Sequence, residues 1–269
     1  MKDYDIVIVG AGCSGLSLAY RLINSSYSVC LIENKPIRNR IRKTWSYWDA
    51  YEHPFKHLNK YINKKLSIHN NKSTSILDCS ELNYCSIDSY DFDKFVLNNI
   101  DECANVEIMF DTEIKEIIKT NERYEINLNN GSMNAKYIFD SRPNSQAIKM
   151  KQIFKGLFIR FDKEIKNFNA QLMDFTEKNE FHFFYSLPMG DDTYLFESTY
   201  YTSLRKDKNE MTDEVHEYIK KRYGDEYSIM REEYGEIPLT TNVKINKKNS
   251  NYLNIGIPSG STRASTGYT

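Results

Sequence analysis

The first 33 residues constrain the chain most. An apolar run, Asp5-Ile-Val-Ile-Val9, breaks into Gly10-Ala-Gly-Cys-Ser-Gly15, continues as a helical pattern from Leu16 to Ile23, and returns as Ser28-Val-Cys-Leu-Ile32, ending at Glu33. Continuous apolar strands of this kind are covered on both faces, which implies a parallel sheet flanked by helices. Each glycine has a physical task. Gly10 permits the tight turn, Gly12 lets backbone approach a pyrophosphate, and Gly15 lets the helix pack against the strand. The free N–H groups of the helix N-terminus, with Ser14 in its first turn, then favour phosphate charge. Glu33 is placed to accept from both hydroxyls of an adenine ribose and would repel a 2′-phosphate, which favours FAD or NAD over NADP.

The pattern after Glu33 separates FAD from NAD. Residues 35–87 read as irregular, polar and aromatic, a functional excursion rather than a plain loop. A helix follows, capped by Asp91 or Ser89, with Phe92, Phe95, Val96 and Ile100 on one face. Strands are expected at 106–110, 113–118, 124–128 and 135–139, with a type I′ hairpin at Asn130-Gly131. A β-meander thus interrupts the wound sheet before the strand that ends at Asp140. From 150 to 205 the strands are long, alternating or aromatic and read as a second, antiparallel sheet; a helix is expected over 212–223. The late strand at 252–256 leads into a Gly- and Ser-rich segment, Gly256 to Gly267. That order resembles two-dinucleotide flavoproteins, in which a late glycine-rich segment turns toward the flavin, so FAD is the expected cofactor.

Charge and composition exclude other classes. With 36 Lys and Arg against 37 Asp and Glu, no global field draws the chain to nucleic acid. No apolar run reaches the roughly 18 to 20 residues of a spanning helix, and the start runs straight into a strand, so a cytoplasmic location is expected. Five cysteines without a C-x-x-C pair indicate neither a disulfide framework nor zinc, and His53 and His57, interrupted by Pro54, make a metal site improbable. The basic run Lys35, Arg38, Arg40, Arg42, Lys43 reads as a solvated loop, with contact to lipid head groups or cofactor phosphates as the alternative.

Several motifs carry a more specific resemblance. Gly10 to Leu16, Thr44-Trp-Ser-Tyr-Trp48, Phe139-Asp-Ser-Arg-Pro143, Gln152-Ile-Phe-Lys-Gly156, Met173-Asp-Phe175, Tyr185-Ser-Leu-Pro188, Phe196-Glu-Ser-Thr-Tyr-Tyr201, Gly235-Glu-Ile-Pro238 and Ala264-Ser-Thr-Gly-Tyr268 occur in the order of the lycopene cyclase family. The chain resembles that family over essentially its whole length, and its last segment resembles the bacterial branch. The resemblance implies cyclisation of lycopene, or a related acyclic carotenoid, to β-ionone rings without net redox change. It also implies reduced FAD, NADPH as reductant, and peripheral contact with a membrane. A FAD-dependent monooxygenase or reductase acting on another apolar lipid, or a non-catalytic flavoprotein fragment, are the alternatives. Family members continue about a hundred residues further, so the chain reads as C-terminally truncated.

Ring closure by protonation asks for a carboxyl group in apolar surroundings, where desolvation keeps it protonated, and for aromatic faces to stabilise a carbocation. Glu197, flanked by Phe196, Tyr200 and Tyr201, lies at the family's essential glutamate; spacing alone also allows it to face water on an edge strand. Asp174 is the second candidate acid. Trp45 and Trp48 line the polyene path, contact the flavin, or simply pack. Gly10, Gly12, Ser14, Gly15, Glu33, Asp140, Gly256, Gly260 and Gly267 are the expected cofactor-binding residues. Two positions depart from the family: Lys43 stands for an arginine, and Ser198 for an acid, which leaves Glu197 without a carboxylate beside it in sequence. The expected fold is α/β, a Rossmann-like FAD-binding domain at 1–145 with an inserted antiparallel substrate domain at 146–245 and a return to the first at 246–269.

Overall fold

The computed structural model describes residues 1–143, 150–163, 165–166, 168–176, 178, 180–190, 192–239, 251–263 and 265–267. The opening unit is β1 (Lys2–Val9), α1 (Cys13–Leu22) and β2 (Val29–Ile32). Five short strands follow, β3 (Thr44–Trp48), β4 (Asn59–Asn63), β5 (Lys65–His69), β6 (Thr74–Asp78) and β7 (Tyr84–Asp88). Next come α2 (Ser89–Asp101), β8 (Val106–Met109), β9 (Ile114–Lys119), β10 (Tyr124–Leu128) and β11 (Gly131–Asp140). The remainder is β12 (Lys151–Phe161), β13 (Gln171–Phe175), β14 (Phe181–Pro188), β15 (Thr193–Thr202), α3 (Lys208–Tyr223), β16 (Tyr227–Pro238) and β17 (Tyr252–Asn254).

The first sheet runs β8-β2-β1-β11 in parallel, and β17 lies parallel beside the end of β11. From the start of β11, β10 and β9 extend it antiparallel, the meander that the pattern implied. Both faces are covered. Ile6 and Ile8 pack with Leu16 and Ala19 of α1 and with Phe92 and Val96 of α2, while Val7 and Val9 pack with Tyr124, Ile126, Met133 and Ile138. A strand buried on both sides has no polar face to show, which is why β1 reads as unbroken apolar sequence.

Two local expectations shift. The α2 N-cap is Asp88, whose carboxylate accepts from the Tyr90 N–H, whereas the Ser89 hydroxyl accepts from the Lys43 N–H. The β10–β11 turn is Asn129-Asn130, with Leu128 paired to Gly131 and neither asparagine at positive φ, so it is not type I′; Gly131 absorbs the bend at φ 145°. The larger difference is residues 35–87, which hold five strands rather than irregular chain. β3, β7 and β4 form a small antiparallel sheet, and β5-β6 joins the second large sheet, ordered β16-β12-β15-β14-β13-β5-β6. The stretch 1–145 therefore contributes to both large sheets, and the boundary at 145/146 lies outside the described residues.

The second sheet has two distinct faces. Leu157, Ile159, Phe184 and Phe196 pack on Val215, Tyr218 and Ile219 of α3. Phe158, Leu187 and Leu195 pack on the other side with Leu66 and Tyr84, and Trp48 joins them. Asp174 stands on the α3 face, 3% exposed, accepting from the Tyr218 hydroxyl at 2.8 Å and the Arg222 guanidinium at 2.6 Å. Asp174 is buried, whereas Arg222 is 34% exposed and water can meet it when the carboxylate is gone. Asp174→Asn should therefore lower the free energy of unfolding by about 2 kcal/mol in a urea titration, the loss of charge-assisted hydrogen bonds; an unchanged midpoint would show that the pair does not hold α3.

Candidate functional site

The structure gives each opening glycine a different environment. A methyl group at Gly15 would lie 1.9 Å from the Gly10 carbonyl oxygen, so the helix rests directly on the turn. At Gly10, φ is 93°, and a methyl group would lie 2.4 Å from the Ser141 hydroxyl, which donates to the Val9 carbonyl. Around Gly12 there is nothing within 4 Å. That open space fronts the α1 N-terminus, where Gly12 caps without a side chain and the first turn holds no acid. Unsatisfied N–H groups facing an opening make an anion cradle. Glu33 closes it: its carboxylate accepts from the Ala11 N–H at 2.9 Å and from the Lys35 N–H at 3.0 Å.

Part of the basic run also belongs here. Arg40 donates to the Ala11 carbonyl at 2.8 Å and to Asp93 at 2.7 Å, and Arg42 pairs with Asp88. The solvated-loop reading fails for Arg40, which is 19% exposed and held by Asp93 of α2, while Arg42 stays half exposed as it pairs with the cap residue Asp88; Arg40 brings positive charge to the glycine turn.

The late glycine-rich segment runs from the cradle to the second sheet. Gly256, at φ 67°, stands where a methyl group would lie 2.4 Å from the Ser14 hydroxyl. Gly260, at φ 83°, ends the turn Ile257–Ser259. At the other end Gly267, at φ 73°, has a backbone conformation that favours glycine, and a methyl group there would displace the Gln152 carboxamide, whose Oε1 would lie 1.9 Å away. The Tyr201 hydroxyl donates to the Thr266 carbonyl at 2.8 Å. Gln152 Oε1 and Thr266 Oγ1 are buried without a hydrogen-bond partner, and buried polar atoms left unpaired call for a ligand or water. Ala264 and Tyr268 of the same motif lie outside the described residues. Cradle, Glu33 and the two orphaned oxygens together fit an extended dinucleotide.

Glu197 stands on the face of the second sheet away from α3. Strand register sets one row across four strands, Glu233 of β16, Gly156 of β12, Glu197 of β15 and Tyr185 of β14. Glu197 is 8% exposed and accepts from the Thr199 hydroxyl at 2.7 Å. Burial, and then the Glu233 carboxylate, push its pKa up to about 8. Near neutrality it is a protonated, proton-donating carboxyl. Aromatic rings share the face: Phe181 stacks on Tyr201 at 5.0 Å, Phe183 meets Tyr201 edge-on, and Phe175 meets both phenylalanines. Tyr185 pairs its hydroxyl with that of Tyr84, against which Trp48 packs.

Other expected residues are not gathered there. Asp174 lies on the opposite face, bound to α3, and takes no part in the Glu197 row. The Asp140 carboxylate, 3% exposed, is occupied by Arg142 and the Tyr252 hydroxyl, so it organises the end of β11 rather than offering itself to a ligand. Trp45 packs edge-on to Phe92 in the first core. Ser198 donates to Glu214 of α3 at 2.6 Å, so an acid does stand beside that position, on the far face. The carboxylate near Glu197 is Glu233. Its sequence trace was Gly156, an isolated glycine inside a long strand, which signals close approach of something from a neighbour.

Fold and cradle define an α/β protein of the Rossmann-like FAD-binding type. A family model described as lycopene cyclase protein matches residues 5–269. The chain belongs to the lycopene cyclase family. No curated protein matches the sequence. Among solved structures, it is similar to a geranylgeranyl bacteriochlorophyll reductase-like protein of Thermoplasma acidophilum, at 14% identity and TM-score 0.75 over 99% of this chain and 74% of that one. The p-nitrophenol 4-monooxygenase of Pseudomonas putida aligns at 12% identity and TM-score 0.74, over 97% and 76%. A probable FAD-dependent monooxygenase of Pseudomonas aeruginosa aligns at 14% and 0.66, over 99% and 81%. At such identities the likeness is one of fold.

Proposed function

We propose that the chain is a flavin-dependent lycopene β-cyclase, closing the linear ends of lycopene or a related carotene into β-ionone rings. The observation that carries this is Glu197, a buried carboxyl held protonated near neutrality beside an aromatic wall, on a sheet tied to the dinucleotide cradle by residues 256–267. Gly12, Ser14 and Glu33 would hold the nucleotide end of FAD, while Gly256, Gly260, Gly267, Gln152 and Thr266 would face its flavin end. A reduced flavin, when bound, supplies electron density that stabilises a nearby carbocation, and NADPH is the reductant in this reading.

The chain's own residues account for the proton chemistry. Glu197 donates its proton to the terminal alkene, the tertiary cation is attacked by the neighbouring alkene, and loss of a ring proton ends the reaction with no electrons consumed. The rings of Phe183, Tyr185 and Tyr201 exclude water from that cation and stabilise it through their faces, with the half-exposed Phe181 at the edge of the wall. An apolar polyene reaches such a wall from a bilayer, so the protein works at a membrane surface on the cytoplasmic side; among the described residues no helix is long and apolar enough to cross one.

The test is direct. Purified protein with FAD, NADPH and lycopene in liposomes should yield products of unchanged mass whose absorption moves to shorter wavelength. Products that gain oxygen, with oxygen uptake, would mark a monooxygenase instead. Products that gain hydrogen would mark a reductase, and untouched lycopene with bound flavin a non-catalytic protein.

A further inference from the structure

A proton-initiated ring closure without net redox change needs two proton transfers, one to carbon and one from carbon. Glu197 accounts for the first. A second carboxylate, that of Glu233, stands on the same face of the sheet. Glu233 lies in register with Gly156, as Glu197 does from the other side, so the two strands that flank β12 aim their acids over the same glycine. A methyl group at Gly156 would lie 2.9 Å from Leu195 Cδ1, 3.3 Å from Glu233 Cγ and 3.7 Å from Glu197 Oε2, so Leu195 and both acids border the narrow space over this glycine. Any larger residue at 156 would fill it.

The two carboxyls have unlike surroundings. Among the described residues no cation pairs with Glu197, which accepts from the Thr199 hydroxyl. Glu233 accepts from Arg231 Nη1 at 3.1 Å, and the same guanidinium donates to the Thr44 hydroxyl at 2.9 Å and covers the Phe158 ring at 3.6 Å. Arg231 in turn stands 3.8 Å from Asp88, which Arg42 also meets. Tyr185 of β14 and Tyr201 of β15, with Tyr84 and Cys79 from the segment packed against them, are further ionisable groups on this side. Burial pushes the Glu233 carboxyl up while Arg231 and Thr44 pull it back down, whereas Glu197 is raised by burial and by Glu233 itself, so of the two the proton resides on Glu197.

We propose that Glu233 is the base of the same reaction, its carboxylate paired with Arg231 until the ring has closed. This rests on the reading of the chain as a cyclase. The Glu197 proton passes to the terminal carbon, the carbon–carbon bond closes the ring, and the adjacent C–H bond breaks with its proton going to the Glu233 carboxylate. That proton then returns to the Glu197 carboxylate across the gap over Gly156. Both acids end as they began, and no oxidant or reductant is consumed. The position of the base also selects which carbon is deprotonated, and therefore where the ring double bond lies.

Glu233→Gln tests this in the full chain, with reduced FAD and lycopene in liposomes. Ring formation should fall about 10²-fold while flavin absorbance after gel filtration stays as in the parent. The residual activity should lose its basic limb at a lower pH than the parent, because the charge that raises the Glu197 pKa is gone, and its products should include rings with a shifted double bond. Parent-like rate, pH limb and product would overturn the proposal and leave the cyclase reading standing. A fall in rate with an unmoved limb and a single product would overturn it too, as a packing effect. If the parent itself forms no rings, the cyclase reading falls and this one with it. Should Glu233→Gln not fold, Glu233→Asp keeps the charge on a shorter arm; a roughly tenfold slower enzyme with the parent's pH limb is expected, and an unaltered rate counts against the proposal.

Discussion

Gly15→Ala is expected to leave the protein colourless and destabilised, whereas Gly12→Ala should leave it colourless but as stable as the parent. The contrast comes from where the added methyl group goes. At Gly15 it would lie 1.9 Å from the Gly10 carbonyl oxygen and 3.4 Å from the Ile8 side chain. The carbonyl cannot retreat, because the turn is pinned by the Gly10 N–H to the Ile32 carbonyl and by the Ser141 side chain behind it. The helix must lift off the sheet, opening contacts of Leu16 and Ala19 with Ile6 and Ile8. Overpacking of this kind costs about 3 kcal/mol, and the displaced N-terminus no longer points its N–H groups at a phosphate. At Gly12 the methyl group meets no protein atom within 4 Å, so only the volume a pyrophosphate would use is lost. Flavin absorbance after gel filtration and a urea titration read the two effects separately. Gly15→Ala protein that stays yellow and melts with the parent would show that this turn is not the cradle.

The same glycines show what kind of information the sequence holds. The β1-α1-β2 unit was legible because its determinants are local: a buried apolar strand, a turn only glycine allows, and a helix that starts where the turn ends. Residues 35–87 were not legible because their strands draw order from distant partners. β4, Asn-Lys-Tyr-Ile-Asn, has no alternation, and β6, Thr-Ser-Ile-Leu-Asp, is exposed over most of its length as the edge of the second sheet. β7 is buried throughout although it contains Ser86 and Asp88, whose polar atoms are met by Ser46 and Arg42. Strand propensity and pattern cannot report such pairings, since the partners make the environment.

The candidate site divides along the same line. Glu197 could be picked out from its own strand, by aromatic neighbours and a family motif. Asp174, equally well flanked in sequence, falls on the other face, and only strand order tells them apart: in register it opposes Phe184, which stacks on Tyr218 of α3. Glu233 needs the order β16-β12-β15 before it comes near Glu197 at all. A cofactor turn is thus written in consecutive residues, whereas a pair of acids on neighbouring strands is written in topology.

Glu197→Gln should abolish ring formation and at the same time make the protein more stable at alkaline pH. For the activity, removing a general acid lowers the rate by roughly 10²- to 10⁴-fold, and in the parent the rate should fall as pH rises through about 8, where the buried carboxyl loses its proton. The stability effect has the same origin. Folding lifts this carboxyl from its ordinary 4.5 to about 8, so the folded state holds a proton that the unfolded chain releases. The group's contribution is therefore fully present below about 4.5, declines through the interval, and is lost above about 8. At about 1.4 kcal/mol per pH unit, the loss across that interval is on the order of a few kcal/mol. Glutamine cannot ionise, so the variant should lack this group's part of the decline. Its thermal midpoint should match the parent's near pH 5 and exceed it by several degrees near pH 9. Two curves that fall together with pH would mean that Glu197 is not held uncharged in the folded protein, and undiminished ring formation by the variant would remove it from the chemistry. The expected crossing, less active and more stable, is what a site that keeps an acid in a place hostile to its charge must show when that acid is taken away.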